Sequence, residues 1–290
     1  MATVTASSRQ RSRVTLHGRE LAYYHFEGEG RPLVLLHGVG SSADGWQAAA
    51  TALAERGAHV ISLDLPGHGD SSKQPGDYSL GSLASAVRDL LDLLEIPQAI
   101  LVGHSLGGGV ALQFRYQFPT HVAGLVLVSS GGLGPDANMI LRLASLPGAG
   151  VVMKVGLNQG TLKVVDSFRR GVRRWGGPAD FIPDHALARL DRLAGPEGRN
   201  SFLATLRSVG VFSGQRVSAI EKLAVSQSIP VLIVWGERDA IIPVAHGRAA
   251  HELLPGSELV VFDDVGHEPH RGDPERFAAV LDDWCVRHEL

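Results

Sequence analysis

The sequence predicts an α/β protein built on a mostly parallel sheet with helices on both faces. Three observations carry that expectation. Short apolar runs recur along the chain: "PLVLLHG" (32–38), "HVISLDL" (59–65), "AILVGH" (99–104), "GLVLVSS" (124–130), "IPVLIVWG" (229–236) and "SELVVFDD" (257–264). Their apolarity is continuous rather than alternating, as in strands covered on both faces. Longer helical patterns separate them, and such alternation is the mark of a doubly wound core.

The elements follow in order. "MATVTASSRQRSR" carries arginines with no apolar stretch behind them, and no run approaches the eighteen or so apolar residues of a membrane span. Residues 1–12 are therefore expected to form a short mobile tail on a cytoplasmic protein. Strands at about Val14–His17 and Leu21–Phe26 pair as an edge hairpin. "SADGWQAAATALAERG" and "SLGSLASAVRDLLDLLEIP" begin near Ser or Asp and end at Gly or Pro, as helices do. From 131 to 216 the rhythm breaks. Helix-like segments such as "TLKVVDSFRRGVRRW" and "PDHALARLDRLAG" appear without a strand run, so a helical lid is expected there, between core segments 13–130 and 217–290. It springs from the carboxyl end of a strand, where ligands of open parallel sheets bind. Its arginines, Arg169, Arg170, Arg173 and Arg174, read as a solvated helix face.

Bulk properties bound the function. A chain of 290 residues, 44% hydrophobic and 20% charged, is an ordinary globular protein able to bury a large core. A net charge of -3 gives no electrostatic basis for a nucleic-acid or acidic-membrane partner. The single cysteine, Cys285, has no internal disulfide partner and reads as a packed thiol in the C-terminal helix.

The chemistry begins at "LVGHSLGGGVALQF" (101–114), where Gly103-His104-Ser105-Leu106-Gly107 fits G-x-S-x-G at a strand-to-helix turn. A serine hydroxyl is a weak nucleophile without an adjacent base and a geometry that holds it clear of the backbone. The sharp turn supplies the geometry, and the helix onset aims backbone N–H groups at the reacting centre. The motif alone also fits a glycine-rich turn capped by serine, so the rest of the chain decides. "LLHGVGSSADGW" ends the first core strand at the same sheet edge; Gly38 lets the amide of Val39 turn inward, to form a two-donor oxyanion hole with that of Leu106. His37 reads as a structural hydrogen-bonder. "IVWGERDAIIP" places Asp239 after a strand, with Glu237 as its competitor, and "FDDVGHEPH" places His267 in the next strand's exit loop, with His270 the weaker candidate base. Asp263 and Asp264 lie too near His267 in sequence to orient it. The order Ser105, Asp239, His267 is nucleophile, acid, base.

Taken together, "VLLHGVGSSADGW", "LDLPGHGDSS", "LVGHSLGGGVAL", "VLIVWGERDAIIP" and "VGHEPHRGDPERF" resemble the α/β-hydrolase superfamily. The resemblance implies an eight-stranded, mostly parallel sheet with a helical cap inserted after the sixth strand. It also implies Ser105, Asp239 and His267 as a triad, Val39 and Leu106 as oxyanion donors, and no cofactor. Asp64, His68 and Asp70 match no standard metal-ligand spacing, and in this family their segment forms a structural turn. Epoxide hydrolases and haloalkane dehalogenases carry an aspartate at the elbow, unlike Ser105, and residues 131–217 hold none of the cap tyrosines of the epoxide branch. The reading is a serine esterase acting on a small hydrophobic substrate. Two alternatives stay open: a C–C hydrolase of ring-fission products, suggested by "LVSSGGLGPD" and by Arg173 or Arg174 as a carboxylate partner, and a ligand receptor that keeps the triad. Trp46, Phe168, Trp175, Phe181, Phe202 and Phe212 are candidates to line an apolar pocket.

Overall fold

The computed structural model describes residues 10–136, 138–174, 184–211, 214–215 and 228–290. Eight strands form one sheet: β1 (Gln10–Leu16), β2 (Arg19–Phe26), β3 (Glu29–Leu36), β4 (Ala58–Leu63), β5 (Ala99–His104), β6 (Val122–Val128), β7 (Val231–Gly236) and β8 (Glu258–Phe262). Their order across the sheet is β1-β2-β4-β3-β5-β6-β7-β8. Pairing is antiparallel for β1–β2 and β2–β4 and parallel from β4 onward. The edge hairpin is longer than its sequence suggests. β1 starts at Gln10, inside the stretch expected to be a tail, because all seven of its residues pair in register with β2 and an edge strand needs little burial of its own.

Helix α1 (Gln47–Ala54) follows a short 3-10 turn at Ala43–Trp46; α2 is Leu80–Leu93 and α3 is Leu106–Gln117. Between β6 and β7 lie α4 (Met139–Ala144), α5 (Ala149–Gly156), α6 (Gln159–Arg174), α7 (Asp184–Ala194) and α8 (Pro196–Val209). A two-stranded ribbon of Gly210–Val211 with Gly214–Gln215 also occurs there, although no strand was expected in this stretch. Such short pairing has no hydrophobic periodicity to announce it. The chain closes with α9 (Ala245–Leu253), α10 (Pro269–Gly272) and α11 (Pro274–Arg287). Helix starts are chemically marked: Ser79 accepts from the Ser82 amide ahead of α2, and Asp273 from the Arg276 amide ahead of α11.

The strands divide their side chains between two cores by simple alternation. Val34, Leu36, Leu101, Leu125 and Leu127 face α2 and α3, where Leu83, Val87, Val110 and Phe114 are buried. Leu33, Leu35, Val102, Val126 and Val128 face α1 and α11, where Leu53, Phe277, Leu281 and Trp284 are buried. Nothing in the middle of the sheet is exposed, which explains the continuous apolar runs. Cys285 packs against this second core, and burial, aided by Asp282, pushes its thiol up to about 12. Among the described residues, no helix is long and apolar enough to cross a membrane.

Candidate active site

The carboxyl ends of β3, β5, β7 and β8 converge at one sheet edge, and each delivers a segment singled out in the sequence. At the end of β5 the chain reverses through Ser105, whose φ of 53° and ψ of -114° lie in a region costly for a side-chain-bearing residue. The turn is held on both sides: the Ser105 amide donates to the Val128 carbonyl at 3.0 Å, and its own carbonyl accepts from the amides of Gly108 (3.0 Å) and Gly131 (2.9 Å). A Cβ on Gly103 would collide with the Gly107 carbonyl, and one on Gly107 with the Leu36 carbonyl, so the elbow closes only with glycine at both places. Ser105 sits at the amino end of α3, with its residue 8% exposed.

The loop after β3 packs directly against this turn. A Cβ on Gly38 would lie 3.2 Å from that of Ser105. The Gly38 carbonyl accepts from the His37 ring at Nδ1 (2.8 Å) and from the Ser41 amide (3.1 Å), while His37 Nε2 accepts from the Leu65 amide at 3.1 Å. Burial holds His37 neutral, down to about 4, so it acts as a two-ended brace, as its sequence context suggests. The brace commits the Gly38 carbonyl to His37 and Ser41. The amides of Val39 and Leu106 make no backbone hydrogen bond among the described residues.

After β7, Asp239 accepts at Oδ1 from the amides of Ile241 (2.8 Å) and Ile242 (2.9 Å) and at Oδ2 from His267 Nδ1 (2.8 Å). Burial alone would raise its carboxyl, but the bonds from His267 and the two amides outweigh that and hold it below the usual range. The rival acids are engaged elsewhere: Glu237 pairs with Arg248 at 2.7 Å, and Asp264 pairs with Arg238. His267 is fixed from its other side by a residue the sequence reading left without a role. His104 Nε2 donates to the His267 carbonyl at 2.8 Å, and the two rings lie 4.7 Å apart. This places the His267–Asp239 couple beside the residue next to Ser105.

His270, the weaker candidate base, is buried behind the site, its ring 3.9 Å from that of Trp46 and 4.7 Å from that of His104. Burial lowers His68 and His104 to about 3 and His270 well below its ordinary value. Together with His37, four histidines are thus neutral when folded and take up protons on unfolding as pH falls below about 6.5. Their stabilisation is complete above that pH and is lost as pH drops toward 4 and 3. Each adds a slope of up to about 1.4 kcal/mol per pH unit. The urea midpoint should therefore fall steeply between pH 7 and pH 5, and a flat midpoint there would contradict the assignment of these rings as buried and neutral.

The "LDLPGHGDSS" segment is a turn organised by Asp64, whose buried carboxylate accepts from the amides of Ala43 (2.7 Å) and Asp70 (2.8 Å) and pairs with Arg11 at 3.2 Å. His68 Nδ1 donates to the Pro66 carbonyl at 3.1 Å.

Helix α7 touches the site through two arginines that sequence reasoning missed. Arg189 reaches Glu268 at 2.6 Å and the Ser41 hydroxyl at 3.4 Å; Arg192 reaches Asp44 at 2.6 Å and the Ser42 hydroxyl at 2.7 Å. Burial would raise Glu268, yet Arg189 and its other neighbours hold it at about 2. One helix of the insertion is thus tied at once to the loop after β3 and to the residue after His267. The signal was present in the i, i+3 spacing of the two arginines, which puts both on one helix face.

Of the aromatic candidates, Phe202 lies against the loop: a Cβ on Gly40 would be 3.3 Å from its ring. It packs with Leu193, Leu203, Leu206, Val39 and Met153. Trp46 is corrected: it is fully buried, its ring tilted against that of His270 and near Phe277, so it belongs to the core. Phe168 is also corrected, being 63% exposed on α6. Trp175, Phe181 and Phe212 lie outside the described residues. Arg174 is exposed on α6 and does not reach the site through any contact described. A separate groove lined by Ile96, Gln98, Thr120 and His121 lies at the amino ends of β5 and β6, opposite this chemistry.

Residues 33–280 match the model of the alpha/beta hydrolase family. An uncharacterized protein of Mycobacterium tuberculosis is 40% identical over 270 residues, covering 92% of this chain and 79% of that protein. A 2-hydroxy-6-oxononadienedioate/2-hydroxy-6-oxononatrienedioate hydrolase of Paraburkholderia phymatum is 31% identical, covering 92% of each chain. Among solved structures, the esterase RhEst1 from a Rhodococcus species superposes with a TM-score of 0.67 at 25% identity, covering 97% of this chain and 99% of that one. The match over most of the chain, with strand ends, elbow and insertion in the order the family requires, places this protein in the alpha/beta hydrolase family.

Proposed function

We propose that the protein is a serine hydrolase that cleaves the carboxylic ester of a small hydrophobic substrate through an acyl-enzyme on Ser105. The observation that carries this reading is a serine in a positive-φ elbow at a helix start, followed across the sheet end by a histidine whose Nδ1 is bonded to a buried carboxylate and whose carbonyl is held by His104, the residue before that serine. With Nδ1–H committed to Asp239, the free lone pair of neutral His267 is on Nε2, the state a general base needs. His267 takes the Ser105 proton as the hydroxyl oxygen attacks the carbonyl. The amides of Val39 and Leu106 hold the oxyanion. The proton passes to the leaving alcohol, and water activated by the same imidazole then releases the acid.

Charge supports an ester over the dicarboxylate ring-fission product acted on by the Paraburkholderia relative. Arg189, the cap arginine that reaches the residue after His267, is paired with Glu268, so it offers no free cation to a substrate carboxylate. The hydrophobic flank of Phe202 and Val39 fits an apolar acyl or alcohol group. The test is labelling with a fluorophosphonate followed by peptide mass spectrometry, run beside turnover of short and long acyl esters and a ring-fission dienoate. One adduct per chain on Ser105, with steady-state ester turnover, is the expected result. Preferred turnover of the dienoate would overturn the ester reading, and ligand modification without turnover would favour a receptor.

A further inference from the structure

Helix α5 is apolar on two opposite sides. Its inner residue Met153, and Leu157 just past its end, join the cluster of Leu193, Phe202, Leu203 and Leu206. Its outer residues Val151, Val152 and Val155 are 67%, 72% and 73% exposed, and at 100° per residue they share an arc of about 100°. Helix α4, which packs against α5, exposes Met139 and Leu143 by about half, and Val164 on α6 is likewise exposed. A surface helix of a globular protein is normally polar on the side turned from the core. Large apolar side chains gathered outside in this way mark an interaction surface.

The charge of the same segment is equally unusual. Between residues 139 and 174 stand Arg142, Lys154, Lys163, Arg169, Arg170, Arg173 and Arg174 against a single carboxylate, Asp166, in a chain whose net charge is -3. Asp166 is shared by Arg169 and Arg170, while Lys154, Lys163 and Arg174 are exposed. The chain-wide charge that argues against an acidic membrane partner therefore conceals a strongly cationic, apolar-faced stretch.

We propose that the face formed by α4, α5 and the start of α6 docks on an anionic lipid surface. The valines enter the boundary between headgroups and acyl chains, and the cations meet lipid phosphates. A second copy of the chain fits poorly, since a self-complementary contact would set this cationic stretch against itself. The placement also has a direction. From the outer valines the path inward runs through Met153 and Phe202 to the loop bearing Val39, so the docked face is backed by the apolar wall of the site. Binding does not depend on the Ser105 chemistry and is measured separately from it.

The experiment is sedimentation of the full chain, and of its Ser105→Ala form, with extruded vesicles of phosphatidylcholine alone or mixed with phosphatidylglycerol. Binding to the mixed vesicles is expected, weaker by about tenfold or more on phosphatidylcholine alone and at about 1 M salt, where the Debye length shrinks to about 3 Å. The pair Val152→Asp and Val155→Asp should reduce binding by about tenfold or more. Lys154→Gln and Lys163→Gln should each cost about fivefold. All four positions are exposed, so the thermal midpoint and hydrolysis of a soluble ester should not change. No sedimentation with mixed vesicles, or equal binding by the valine and lysine variants, would overturn the proposal. So would a concentration-dependent dimer that Val152→Asp dissolves, which would make the face a contact between copies.

Discussion

Ser105→Ala should reduce kcat for ester hydrolysis by roughly 10⁴- to 10⁶-fold while leaving the fold intact. The size follows from the elbow. Alanine keeps the Ser105 amide bond to Val128 and the carbonyl bonds to Gly108 and Gly131, because all three are backbone contacts. Its Cβ occupies the same space beside Gly38, so the turn keeps its shape and loses only the attacking oxygen. Whatever rate survives would come from the two amides and binding alone. The checks are single-turnover kinetics, an unchanged thermal midpoint and loss of fluorophosphonate labelling. A variant that kept more than trace activity would remove Ser105 from the chemistry.

Asp239→Asn should lower kcat by about 10⁴-fold at neutral pH, by a different route. The carboxylate faces two kinds of partner: Oδ1 accepts from the amides of Ile241 and Ile242, and Oδ2 accepts from His267 Nδ1. An asparagine must keep its carbonyl oxygen toward the two amides, since reversing it would leave buried N–H groups facing N–H groups. Its NH₂ then points at His267 Nδ1, which can accept that bond only if the ring's proton sits on Nε2. The imidazole would present N–H to Ser105 where a lone pair is needed. KM should change little, because no binding group is altered, and Asp239→Ala should cost both activity and stability, since the two amides lose their acceptor. A kcat within tenfold of the parent for Asp239→Asn would show that the carboxylate does not set the tautomer.

The parts of this protein that were legible in the sequence are those fixed by periodicity and by backbone sterics. Strands covered on both faces leave continuous apolar runs, and the core alternation of Leu33 to Leu36 is the same pattern seen edge-on. The G-x-S-x-G elbow was legible because Gly103 and Gly107 meet backbone carbonyls, a demand no other residue can satisfy. Side-chain direction was not legible. Trp46 and Phe168 were both plausible pocket linings by type, but Trp46 enters the core at a 3-10 turn and Phe168 faces outward on α6. Contacts between remote segments were hidden for the same reason. His104 bracing the His267 carbonyl joins residues 163 positions apart, and Arg189 meeting Glu268 joins residues 79 apart. No local pattern reports such pairs, because the first exists only after the sheet has brought two strand ends together and the second only after the insertion has folded back over one of them.

The contact between Gly107 and the end of β3 has a wider consequence. The distance from the elbow to the loop bearing Val39 is set where one peptide group rests on another, with no side chain between them. It is a gauge without an adjustable part. Substitutions in the helices of the insertion, or at Phe202 and its neighbours, can reshape the apolar surroundings of that loop without altering that spacing. On the proposed function, selectivity and reactive geometry are therefore separable inheritances: the first can drift with the residues of the insertion, while the second is held by the absence of a single methyl group.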